Sequence, residues 1–119
     1  MADKKTKETE LNPHEAVSLF ERAVKDNPQD AQARFNLASG YYAAHDWDAA
    51  FKEFQEAAAL APSLDHAHYY LGVLYAKRGD QENARQEFDK VLKGNGHSLL
   101  KTQAKIQISM LDSDTHKAG

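Results

Sequence analysis

A period of 34 residues constrains this chain more than any other feature. The stretch from Ala31 to Leu64 is copied by the stretch from Asp65 to Ser98. On that shift Leu37 falls on Leu71, Ala38 on Gly72 and Tyr41 on Tyr75. Ala50 falls on Ala84, Phe54 on Phe88, Ala57 on Val91, and Pro28 on Pro62. One further step backwards brings Ala16, Phe20 and Ala23 into the second half of the series. A unit of this length cannot bury its apolar face alone, so copies must stack on one another.

The spacing inside each copy is helical. Leu37, Ala38 and Tyr41 share one face of a first helix, and Ala50, Phe54 and Ala57 share one face of a second. Small residues such as Ala38, Gly72, Ala50 and Ala84 let two helices approach, and Phe54 and Phe88 fill the space beyond them. Asn12-Pro13-His14-Glu15 is a helix start, with Asn12 as cap and proline at the first helical position. Asp26-Asn27-Pro28 ends that helix, because a residue before proline is pushed out of the α region. Helices are then expected over about 31–44, 47–60, 65–77, 81–93 and 98–111. Asp46 caps one of them, and Gly94-Asn95-Gly96 closes the second copy. No sustained period-two alternation marks a strand.

The expected organisation is all-α. A flexible charged tail covers 1–11, and a helical repeat domain covers 12–112. That domain comprises a half repeat (12–28), two full repeats (31–64 and 65–98) and a capping helix (98–112). A second flexible tail covers 113–119.

Net charge is −3, from 15 basic and 18 acidic residues that are interspersed, so no basic stripe points to nucleic acid. No run approaches the roughly 18 apolar residues of a membrane span. The polar N-terminus lacks the apolar core of a secretory signal, and a cytoplasmic location is expected. With 0 cysteines there is no disulfide, thiol nucleophile or Cys-based zinc site. His66 and His68 lie two apart and point to different sides of a helix. No paired-carboxylate, Ser–His–Asp or phosphate-loop signature is present. No catalytic residue, metal or cofactor is expected.

The run Leu71-Gly72-x-x-Tyr75, then Ala84, Phe88 and Val91, resembles the tetratricopeptide repeat, whose unit is a 34-residue helix–turn–helix. The middle copy resembles it at Leu37, Ala38, Tyr41, Ala50, Phe54, Ala57 and Pro62. Arg34 and His68 depart from the pattern, since the family usually has an aromatic or apolar residue there. They are expected to weaken the outer edge of the first helices. Gly96 departs too, standing where proline is usual. The resemblance implies a short α–α superhelix of about six helices.

It also implies a non-enzymatic adaptor or scaffold that binds a peptide or helix of a protein partner in a concave groove. The groove positions would be Gln32, Phe35, Asn36, Ser39 and Tyr42 in one copy. In the next they would be His66, Tyr69, Tyr70, Val73 and Lys77. Aromatic residues there offer large contact area at low entropic cost. One version of the family grips a C-terminal carboxylate with Lys, Asn and Arg. Here Asn36 is followed by His66 and Tyr70 at the corresponding basic positions, which argues against an acidic-tail ligand. Trp47 is expected to pack at its interhelix turn.

The final helix is unusually apolar, over an arc of roughly 200°. Leu99, Ile106 and Met110 form one sector, and Leu100, Ala104, Ile108 and Leu111 an adjoining one. Either the helix sinks against residues 65–93, or the second sector is an association surface for a homo-oligomer. An assembly subunit joined through its terminal helices is therefore the alternative to a groove-binding adaptor.

Overall fold

The computed structural model describes the backbone of residues 12–118 and the side chains of 12–113. The segment 1–11 and Gly119, both expected as tail, lie outside the described residues. Six helices and no strand occur among the described residues. The chain divides after Leu60 into two compact units.

The first unit holds α1 (Pro13–Asp26), α2 (Ala31–Ala43) and α3 (Trp47–Leu60). Asn12 caps α1 reciprocally: its Oδ1 accepts from the Glu15 N–H at 2.9 Å, and its Nδ2 donates to Glu15 Oε1 at 2.8 Å. Asp30 Oδ1 caps α2 by accepting from the N–H groups of Gln32 and Ala33. Val24, Ala33 and Leu37 are buried between α1 and α2, with Val17, Phe20 and Tyr41 packed against them. Gly40 lets α1 come close, since a Cβ there would stand 3.2 Å from Phe20 Cδ2. Ala38, Ala50, Phe54 and Ala57 are fully buried, and Phe35 meets the Phe54 ring edge-on at 5.5 Å. Burial of a phenylalanine such as Phe54 contributes about 2–3 kcal/mol.

The second unit holds α4 (Asp65–Lys77), α5 (Gln81–Lys93) and α6 (Ser98–Ala118). Ala84, Phe88 and Val91 of α5 form one core with Leu100, Ala104 and Leu111 of α6, and Ile108 packs against it. The expected association surface is therefore taken up inside the unit. Leu100, Ala104 and Leu111 are buried because α5 and α4 offer that sector an apolar bed. The sector left in solvent is the other one, Leu99, Ile106 and Met110. The helix also runs on to Ala118 instead of ending near 112. No proline or glycine interrupts the chain between Ser98 and Ala118 to stop it.

Two departures from the repeat pattern acquire reasons. Gly94 and Gly96 both lie against the Asp65 carboxylate so closely that a Cβ at either would collide with it. A proline at 96, as in the earlier copies, would bring such a Cβ. Arg34 and His68, for their part, do not weaken their helices. Arg34 Nη1 pairs with Glu53 Oε1 at 3.0 Å, and its Nε donates to the Pro28 carbonyl at 3.1 Å. His68 Nδ1 meets Glu87 Oε1 at 2.8 Å, and its Nε2 meets the Pro62 carbonyl at 2.8 Å. All three partners are related by the 34-residue shift. Each copy thus has the same polar clasp joining its first helix, its second helix and the preceding proline.

The interhelix turns are also alike. His45 adopts φ 62° and Gly79, its counterpart, φ 81°. The His45 ring stacks on Trp47 at 5.0 Å, and Tyr42 meets Trp47 edge-on at 5.1 Å. Trp47 is thereby held at the turn, half-buried.

Candidate functional site: helix faces and a cleft

The side chains expected to line a groove divide between the two units. On α2, Gln32 is exposed, and Phe35, Asn36, Ser39 and Tyr42 are half-buried. Gln32 Nε2 donates to Asn36 Oδ1 at 3.1 Å, one helical turn on. The rings of Phe35 and Tyr42 both rest on buried Phe54, so each presents only part of its surface. This packing fixes their rotamers. A fixed ring offers contact area with little entropy left to lose.

On α4 the residues separate. Val73 joins the core shared with α6, and Lys77 is exposed. His66, Tyr69 and Tyr70 instead line a cleft with His97, Ser98, Leu99, Leu100 and Gln103. Its volume is about 500 Å³. Tyr69 is the anchor of this cleft. Its ring lies 5.7 Å from Phe88 and 5.5 Å from Tyr70, and its hydroxyl accepts from Gln107 Nε2 at 3.3 Å. Leu99, 67% exposed, forms an apolar rim.

No Asp, Glu, Lys or Arg lines the cleft. Its polar groups are two imidazoles, two phenols, a hydroxyl and an amide. Such a lining suits a neutral polar or aromatic segment better than a fixed charge. Of the five lining residues from α6 and its approach, His97 and Ser98 close the second copy, and Leu99, Leu100 and Gln103 lie beyond the repeat. Leu99 and Leu100 stand out in the sequence as apolar residues of the last helix, but only Gly94-Asn95-Gly96, the tight linker packed against Asp65, hints at the return of the chain towards α4.

Two perturbed groups of the second unit, His68 on α4 and Glu87 on α5, do not line the cleft. The bond with Glu87 raises the pKa of His68 above the usual histidine value, against the opposing effect of burial. Burial acts to raise the Glu87 carboxyl, but bonds from His68 and Lys90 prevail and hold it below the usual range. Among the described residues no group of three His, Asp or Glu side chains could hold a metal ion. No helix among them is long and apolar enough to cross a membrane.

Comparison with known proteins agrees with the repeat and the fold. The tetratricopeptide-repeat profile matches residues 10–65 and 37–98. An inactive TPR repeat-containing thioredoxin of Arabidopsis thaliana, TTL3, is 40% identical over 72 residues, 60% of this chain and 10% of that protein. The chain spans about a tenth of the length of this relative and of a second Arabidopsis TPR repeat-containing thioredoxin, TTL4. Among solved structures, the P58(IPK) TPR domain superposes with a TM-score of 0.83 at 27% identity, over 87% of this chain and 29% of that one. The Yersinia enterocolitica type III secretion chaperone SycD, in complex with a peptide of the translocator YopD, gives 0.80 at 11% identity, over 87% and 82%. Repeat period, paired helices and profile therefore agree, and the chain belongs to the tetratricopeptide-repeat family.

Proposed function

We propose that this chain is a non-enzymatic protein-interaction module, an adaptor or scaffold that holds a peptide or helix of a partner protein. The partner is held in the second unit at the aromatic and polar face of α4, through His66, Tyr69 and Tyr70, and the first unit offers a face of its own on α2, through Gln32, Phe35, Asn36, Ser39 and Tyr42. The cleft between α4 and α6 carries this reading. It combines two fixed tyrosines with an apolar rim and no fixed charge. Preorganised rings bind without the module paying ordering entropy. At the level of fold, SycD takes a peptide of its translocator on the same kind of scaffold. Val73 packs on the core and Lys77 is exposed, and neither lines the cleft.

The test is affinity capture from the native cell with the wild-type chain and with Tyr70→Ala and Gln103→Ala. A partner retained by wild type and lost by both variants supports the cleft. A partner bound equally by all three rejects it.

A second reading is an assembly subunit that joins copies through a terminal helix. Exposed Leu99, Ile106 and Met110 favour it, on the α6 sector adjoining the one expected. Mass measured across a dilution series decides it, since a monomer at every concentration removes this reading.

A further inference from the structure

The two polar clasps match in geometry but not in chemistry. Arg34 carries a permanent charge and several N–H donors, so its bonds to Glu53 and Pro28 persist at any ordinary pH. His68 faces an acceptor on each ring nitrogen. One is a carboxylate oxygen and the other a backbone carbonyl, both at 2.8 Å. The carbonyl can only accept. A neutral imidazole has one N–H, so it can donate to one of the two and turns a lone pair on the other. Both bonds form only when the ring carries two protons.

We propose that His68 is a proton-dependent clasp that makes the second repeat sensitive to pH, where the first, closed by Arg34, is not. The charged groups that face it from α5 are Glu87, which pairs with it, and Lys90, which bonds the other Glu87 oxygen at 2.9 Å. The linker before α4 contributes the Pro62 carbonyl and no charged side chain. With both its oxygens accepting from nitrogen donors, Glu87 is held as the carboxylate. His68 is only 7% exposed, so water replaces a lost partner poorly.

The sign follows from linkage. The raised folded-state pKa of His68 means its contribution is complete below the unfolded value of 6.5 and is lost as pH rises through the folded value. The proposal concerns folding of the second unit and stands whether or not the cleft binds a partner.

The experiment follows the His68 ring by NMR in the full chain, assigned by comparison with His68→Gln, and measures thermal unfolding from about pH 5.5 to about pH 8.5. His68 should titrate above 6.5, with both ring nitrogens protonated at the acid end. The unfolding midpoint of wild type should fall towards high pH more steeply than that of His68→Arg, which converts the second clasp to the first kind. Arg34→His should steepen the fall further. The other histidines cancel in these differences. A His68 titration at or below 6.5, or parallel pH profiles for wild type and His68→Arg, would overturn the proposal. If His68→Arg does not fold, the wild-type titration decides alone.

Discussion

Gly72 lies against the face of Phe88 with no room for a methyl group: a Cβ there would stand 2.6 Å from Cε1 of the ring. Phe88 is fully buried and cannot swing away. The first copy has Ala38 at the same place, so the two seams differ by one methyl group in how closely the paired helices pass.

Gly72→Ala should therefore destabilise the chain. Overpacking costs about 1–3 kcal/mol, while the better helix propensity of alanine returns about 1 kcal/mol. The reverse change in the first copy, Ala38→Gly, should cost about 1 kcal/mol through backbone entropy. Denaturant unfolding of both variants checks the pair. A Gly72→Ala chain more stable than wild type would show that Phe88 gives way.

The turns offer a cleaner backbone test. Gly79 has nothing within 4 Å of its would-be Cβ, so Gly79→Ala is expected to cost about 1 kcal/mol by conformation alone. His45→Gly should relieve the same strain in the first copy but forfeit the stack on Trp47. Its net effect in thermal unfolding should be smaller than that of Gly79→Ala, and Trp47 fluorescence should change.

Neighbouring leucines in α6 separate the two sectors of that helix. Leu100 is 5% exposed and Leu99 67%. Leu100→Ala should cost about 2–5 kcal/mol as a core cavity, and Leu99→Ala no more than about 0.5 kcal/mol. Equal losses in unfolding midpoint would mean that α6 presents a different face to α5.

Acid acts on the other half of the second clasp. Glu87 has a lowered folded-state pKa, so its contribution is present above its usual 4.5 and is lost as pH falls through the folded value. Glu87→Gln should flatten this acid limb of the stability profile. The plateau of the clasp then lies between about pH 4.5 and about pH 6.5, where Glu87 is ionised and His68 protonated.

Most of the helical frame was legible because its punctuation is chemical. Pro28, Asp46, Pro62 and Gly79-Asp80 mark ends and starts, and Leu37, Tyr41, Phe54 and their copies mark the buried faces. What escaped depends on partners distant in the chain. A helical wheel divides α6 into two apolar sectors but cannot say which one meets Phe88 and Val91. Arg34 and His68 look like defects in an apolar pattern until Glu53 and Glu87, each 19 residues away, come alongside. The cleft escaped for the same reason. Gln103 and Leu99 reach Tyr69 and Tyr70 only because α6 returns across α4.

The clasps also bear on how such a chain can change. Their socket is made of a glutamate and a proline carbonyl, and the same buried phenylalanine frame stands beside it in both copies. Two chemically different side chains, Arg34 and His68, occupy it in this one chain. The occupant can be exchanged without repacking the hydrophobic frame, so neighbouring repeats of one template can acquire different responses to acidity.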